Sequence, residues 1–347
     1  MDRLAKIHFD HSKCTMLELG ASAVMDVITL EIRNGWAKRK VKYQLGGRLP
    51  DDESIKEIIR ASGLTKNLKV ADQALSEAKA KNYLLFDLIS GGKEYASPHS
   101  SSETEKAEQK LTDYFDACLK KSGFHLTIDG RRNLSIMVGE MMTNAEEHSG
   151  HGRWFVTGYL RKQDGYDEVN IAIFNFGRTI YETFDEKIDP SLRADLKHLS
   201  DHHTQKGFFG SEWSEETLWT LYSLQEGVSR YTGTPRGTDR GTGTVRMIEF
   251  FQNLGRKDDA KLEPKMCLLS GSAYILFDSR YKMLSEPVDN EMRSTIAFNS
   301  TNSLLDPPDK NNVKKIHGHF PGTIVSLKFF LDKKYLSQQM TNTAEKK

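Results

Sequence analysis

Apolar side chains recur along this chain with two periods, and the changes between them lay out its elements. Leu17, Ala21, Val24, Met25, Ile28 and Ile32 stand at helical spacing, which predicts a helix over 17–32. Short apolar runs at 6–9 and 41–45 flank it and read as strands. Pro50 followed by Asp51, Asp52 and Glu53 opens a second helix, because proline's fixed φ suits the first turn and acidic side chains suit the positive end of the helix dipole; Gly63 is placed to cap it. A strand at 68–70, a helix over 71–81 and a strand at 83–89 continue the alternation of strand and helix, the pattern of a small α/β domain.

Ser97 to Glu105 is a polar stretch containing Pro98. It suggests a domain boundary, with a domain at 1–96, a linker at 97–106 and a larger domain at 107–332. In the second part, Leu111, Tyr114, Phe115 and Cys118 mark one side of an amphipathic helix over 107–121. A helix over 129–148 follows, then strands at 154–160 and 169–174, joined through Gln163, Asp164 and Gly165 as a hairpin. Residues 181–240 are long, polar and rich in histidine, glycine and tryptophan, with one helix expected at 215–225; a segment of that length reads as a lid or binding loop. A helix after Gly243 and strands at 265–269, 274–277 and 323–331 complete the pattern, and 333–347 reads as a polar tail.

Composition narrows the function classes. Lys and Arg number 49 against 48 Asp and Glu, a net charge of +1, so there is no global field for a polyanion or an acidic membrane. Three distant cysteines, Cys14, Cys118 and Cys267, make neither a disulfide framework nor a cysteine-rich zinc site. With neither an apolar leader nor a spanning run, a cytoplasmic location is expected, with no nucleic acid or membrane partner. The histidines at 198, 202 and 203 read as solvated side chains, and Trp213, Leu218, Trp219, Tyr222 and Leu224 as packing for the lid helix.

Two places carry candidate chemistry. Glu140, Asn144 and His148 stand four residues apart, so they share one helical stripe beside the apolar stripe of Leu134, Met137, Met141 and Ala145. A carboxylate one turn before an amide suits metal–nucleotide chemistry: the carboxylate takes a proton from water and the amide oxygen ligates Mg²⁺ beside phosphates. Further on, Arg240-Gly241-Thr242-Gly243-Thr244 is a glycine turn opening directly into a helix, where backbone N–H groups and the positive dipole end suit a phosphate. Between them, the strand ending Phe174-Asn175-Phe176-Gly177-Arg178-Thr179 presents a polar residue at its tip, placed to bond a base edge.

In this order the motifs resemble the GHKL superfamily of ATPases, named for gyrase, the heat-shock chaperones, histidine kinases and MutL. Glu140-Met-Met-Thr-Asn144-Ala-Glu-Glu-His148 resembles their first motif, Gly241-Thr-Gly243 their glycine turn, Leu268-Leu-Ser-Gly271 the strand after the lid helix, and Phe320-Pro-Gly-Thr323 the closing strand. The resemblance implies a two-layer α/β Bergerat sandwich with a mixed sheet and a long ATP lid at 181–240. It implies ATP and Mg²⁺ as ligands, Glu140 as general base for water and Asn144 as metal ligand. Gly177 would lie beside adenine, Gly241, Gly243 and their neighbours Arg240, Thr242 and Thr244 around the phosphates, and Thr323 behind the base. Two positions depart from the family: Asn175 replaces its aspartate, adding a donor amide, and Thr179 replaces its second glycine. Glutamate at 140 favours hydrolysis over the phosphotransfer of kinase members, where asparagine is frequent.

The amino-terminal alternation, with the stretch 44–64, resembles STAS-like modules, best known from sigma-factor antagonists. The expected function is a slow Mg²⁺-dependent ATPase that signals nucleotide state to the amino-terminal domain or to a protein partner, including a second copy of the chain. A protein kinase or anti-sigma-like regulator, and a nucleotide-gated module without turnover, are the alternatives.

Overall fold

The computed structural model describes residues 4–68, 76–92, 103–148, 153–204, 213–226, 243–254, 261–288 and 291–337. Residues 69–70 of the strand expected at 68–70, the start of the expected helix over 71–81, and the tail from 338 lie outside these residues; Leu68 itself is helical rather than extended, closing a short helix.

The chain opens with β1 (Ala5–Asp10), α1 (Leu19–Lys38) and β2 (Tyr43–Arg48), and β1 pairs with β2 in parallel. This is one strand–helix–strand unit. Next comes α2 (Glu53–Ser62), whose amino end is capped by Asp52: the carboxylate accepts from Ser54 N–H at 2.8 Å and Ile55 N–H at 3.1 Å. Those contacts satisfy two of the free donors of the first turn. Gly63 caps the other end as expected, but with extended φ of −99° rather than a left-handed one. Two short helices, α3 (Leu64–Asn67) and α4 (Glu77–Ala80), lead to β3 (Tyr83–Gly92).

β3 is where the expected division of the chain meets the structure. It pairs antiparallel with β4 (Arg153–Lys162), which pairs with β5 (Tyr166–Phe176); the sheet continues through β9 (Val313–Asp332) to β6 (Lys265–Phe277). The stretch at 97–106 therefore does not separate two sheets, and its last residues already belong to α5 (Glu103–Lys121). A polar stretch between periodic segments marks a loop; whether the flanking strands share a sheet is decided by pairing partners far away in sequence.

All four pairings in this sheet are antiparallel, so the mixed sheet expected from the resemblance is not found. A two-layer arrangement is not found either, because both faces are covered. On one face Val156, Leu160, Val169, Ile171, Ile173 and Leu327 join a core with α5, α6 (Ile128–His148), α9 (Glu215–Tyr222) and α10 (Gly243–Gln252). On the other, Phe155, Phe174 and Ile324 pack against Ala23 and Val27 of α1, and Tyr83, Tyr159 and Ala172 against Leu19, Ile58 and Ala61. Burial on both sides explains why β4 and β5 read as nearly unbroken apolar runs. Gly20 lets α1 settle onto β9, for a Cβ there would sit 3.1 Å from Ile324 Cγ2.

Glu168 is among the charged groups buried on this second face. Glu168 of β5 is 3% exposed. Its carboxylate accepts from Arg161 at 2.7 Å, Gln163 at 2.8 Å and Asn170 at 2.8 Å, and Lys328 Nζ lies 3.1 Å away. Burial pushes the Glu168 pKa up, but Lys328 and Arg161 together outweigh it and hold the carboxyl below its ordinary value of 4.5. A depressed carboxylate stabilises the fold fully above that value and ceases to do so as pH falls through the lower, folded one. Glu168→Gln should therefore lower the melting temperature by several degrees at pH 7, with the gap to wild type narrowing as pH falls below 4.5; a gap that does not change with pH rejects the assignment.

The segment 181–240, expected to hold a single helix, contains α7 (Ile180–Lys187), α8 (Pro190–Thr204) and α9. Residues 205–212 and 227–240 of it lie outside the described set. Glu215 ties the three helices together, accepting from Tyr181 Oη and Lys197 Nζ at 2.8 Å each. Leu218, Trp219, Tyr222 and Leu224 are buried in the main core, the packing role expected of them. A small hairpin, β7 (Leu284–Val288) with β8 (Glu291–Thr295), had no signal in the periodicity.

Candidate functional site

Helix α6 forms because Leu134, Met137, Val138, Met141 and Met142 recur at helical spacing and are all buried. Packing that stripe on the sheet leaves Glu140 and Asn144, one turn apart, half-buried at its side. The side chain of His148 lies outside the described residues. Gly139 faces α5: a Cβ there would lie 2.9 Å from Glu108 Oε2, the end of a side chain that accepts from Ser135 Oγ at 2.5 Å.

Gly243, the first residue of α10, lies directly against Glu140. A Cβ on Gly243 would come within 2.9 Å of the Glu140 carboxyl carbon and 3.1 Å of its Cβ. Absence of a side chain lets the amino end of one helix meet a carboxylate on another. Thr244 follows, half-buried, in the first turn of α10. Arg240, Gly241 and Thr242 lie outside the described residues.

A second group gathers where β5 and β9 end. Asn175 pairs in register with Thr323, and Phe176 with Gly322. Asn175 continues the sheet face of Ile171 and Ile173, the face on which α6 packs. It is 1% exposed; its Oδ1 accepts from Thr323 N–H at 3.1 Å, while its Nδ2 is buried without a partner. A buried amide donor left unpaired is costly. Gly177 has φ of +133° and donates its N–H to Pro321 O at 2.9 Å.

Ser270 of β6 connects the parts of this group. Its Oγ accepts from Ile180 N–H at 2.8 Å, shares a hydrogen bond with Thr323 Oγ1 at 2.9 Å and donates to Gly322 O at 3.3 Å. The sequence marked the Leu268-to-Gly271 motif but gave Ser270 no role. Thr179 is fully buried and caps α7: its Oγ1 accepts from Glu182 N–H at 3.1 Å, and its own N–H donates to Glu182 Oε2 at 2.8 Å. This reciprocal pair commits the Thr179 side chain to the helix start. Thr323, likewise, spends its hydroxyl on Ser270.

Glu216 of α9 escaped sequence reasoning. Its carboxylate accepts from Ser272 N–H at 3.1 Å and from Ser272 Oγ, and it fills the space beside Gly271, whose φ is +59°. An acidic pair in a helix's first turn was the available signal, and that signal describes a helix start rather than a contact 56 residues away.

The structure thus brings Glu140 to Gly243, and Asn175 to Gly177, Thr179 and Thr323, as two groups on one sheet face. Mg²⁺ bound with nucleotide takes one or two protein oxygens and completes its shell with phosphates and water. A single asparagine oxygen at 144 meets that demand, and among the described residues no cluster of three His, Cys, Asp or Glu side chains is placed to hold a metal independently. No helix of the described residues is long and apolar enough to cross a membrane. Compared with protein-family models, with curated proteins and with solved structures, the chain matches none.

Proposed function

We propose that the chain is a Mg²⁺-dependent ATP-binding protein that hydrolyses ATP slowly. The observation that carries this reading is the seat of Gly243 against Glu140: a glycine-opened helix end, suited to phosphate, meets a carboxylate able to take a proton from water. Asn144, one turn along the same helix, supplies the metal oxygen. The Asn175 group supplies an unspent donor at the strand tip for a base. Mg²⁺ would supply charge neutralisation on the phosphates. Of this chain's residues, Glu140 orients and deprotonates water, and Gly243 and Thr244 hold the phosphate end with backbone and hydroxyl donors. Nucleotide state reaches the rest of the molecule through residues other than α9, whose burial fixes it in the core.

Calorimetric titration of the full chain with ATP, ADP and GTP in Mg²⁺ is the test; failure to bind any of them rejects the reading. Appearance of labelled phosphate on a serine, threonine or histidine of the chain or a partner, in place of free phosphate, would move the assignment to a kinase.

The base site makes a separate prediction. Because Thr323 holds Asn175 Oδ1, the amide offers a purine a donor, which suits a 6-oxo group better than a 6-amino group. GTP should compete with ATP within about tenfold, and Asn175→Asp should shift the ratio of affinities at least tenfold toward ATP, since a lost or mismatched hydrogen bond to a buried group costs about 1–3 kcal/mol. An unchanged ratio in a folded Asn175→Asp protein removes Asn175 from the base contact.

A further inference from the structure

A cavity of about 520 Å³ lies in the amino-terminal unit, lined by none of the residues the nucleotide reading uses. It opens at the carboxyl ends of the two parallel strands, between Phe9 of β1 with His11 just after it and the end of β2 from Leu45 through Arg48 with the following Leu49, Pro50 and Asp51, and α2 and α3 close it with Ile59, Arg60, Leu64 and Thr65. That is the position where strand–helix–strand units leave a crevice, because successive connections diverge there. Its size falls within the range of about 300–1,000 Å³ that small-molecule sites occupy.

The lining has two characters. The walls are apolar, formed by Phe9, Leu45, Leu49, Ile59, Leu64 and Leu68. Arg48, Lys56 and Arg60 bring three permanent cations, against one carboxylate, Asp51. Lys56 is engaged by Glu53 at 2.5 Å; Arg48 is exposed and stands in register with Asp10, whose carboxyl it helps hold below its ordinary value, so an anion at the mouth would share Arg48 with that carboxylate. The dipole end of α2 is already occupied by Asp52, so an anion would be held by side chains rather than by the helix terminus. Gly47 shapes the mouth, because a Cβ there would lie 2.6 Å from Phe9 O and force β2 away from β1.

We infer that this cavity is a binding site for a small organic anion with an apolar body and a single carboxylate or phosphate headgroup, the body seated among the leucines and the headgroup at Arg48. The inference stands apart from the nucleotide reading, because it uses none of the same residues. An apolar body gains from burial in proportion to its area, and a guanidinium bonds a carboxylate or phosphate with two parallel N–H groups. Neither half of such a ligand satisfies the cavity alone.

The test is calorimetric titration of the full chain with 1-naphthyl phosphate, 1-naphthoate, 1-naphthol and inorganic phosphate, with and without excess Mg·ATP. The two naphthyl anions are expected to bind at least tenfold more tightly than naphthol or phosphate, and the stronger of them identifies the headgroup. Binding should persist in excess Mg·ATP and weaken at least tenfold in Arg48→Glu. Hydrogen–deuterium exchange on the wild-type chain provides a measurement independent of that variant's folding, with ligand protection expected at 45–51 and 59–65. Binding no tighter than either half, displacement by ATP, or protection confined to other segments overturns the inference.

Discussion

Gly322→Ala is expected to lower the unfolding free energy by on the order of 4 kcal/mol, the sum of roughly 1–3 for a strained backbone and roughly 1–3 for overpacking. Gly322 sits at φ of +143°, and a Cβ there would strike the Asn175 carbonyl oxygen and lie 3.0 Å from both Asn175 C and Phe176 Cα. Those atoms are backbone of the neighbouring strand and cannot swing aside as a side chain would. Relief requires β9 to separate from β5 where Asn175 and Thr323 are hydrogen-bonded. Gly318→Ala is the control in the same strand, since its Cβ would meet nothing within 4 Å, and should change stability by less than about 0.5 kcal/mol. Melting temperatures of the two variants give the comparison, and equal values for both would refute the close approach.

The second large effect concerns turnover. In Glu140→Ala, ATP hydrolysis should fall by about 10²–10⁴-fold, the contribution typical of a positioned general base, while the calorimetric affinity for Mg·ATP stays within a few fold. Separation of the two readouts matters, because Glu140 lies against Gly243 and a merely structural role would disturb binding and turnover together. Glu140→Gln keeps the shape and hydrogen bonding but not the basicity, so it should behave like the alanine variant in turnover. Hydrolysis persisting in a folded Glu140→Gln protein would remove Glu140 from the role of base.

If nucleotide binding moves part of the chain, α9 is not that part. Thr217, Leu218, Trp219, Thr220, Leu221 and Tyr222 are each no more than 1% exposed, and Glu215 and Glu216 anchor its start to α7, α8 and β6. A cover built from 181–240 as one loop would have to drag this buried helix from the core. Of the histidines that made the segment look like a loop, His198 and His202 lie on the exposed side of α8, whereas His203 is buried and bonded to Leu304 O at 2.9 Å.

Local physics made the elements legible in the sequence. The helical spacing of Leu134, Met137 and Met141, the Pro50 and Asp52 helix start and the Gly165 turn at φ of +86° are each set by residues within a few positions of one another. So is the sharing of one helical stripe by Glu140 and Asn144. Tertiary structure decided the rest, because it depends on contacts between distant residues. The pairing of β3 with β4 across the expected boundary, the covering of the second sheet face by α1, the meeting of Gly243 with Glu140, and the Ser270 contacts that join Ile180 to Thr323 span tens to well over a hundred positions. Periodicity records which side of an element is apolar, not which partner will bury it. For that reason the sequence by itself determined the stripe that bears the candidate chemistry, whereas the fold alone decided what faces it.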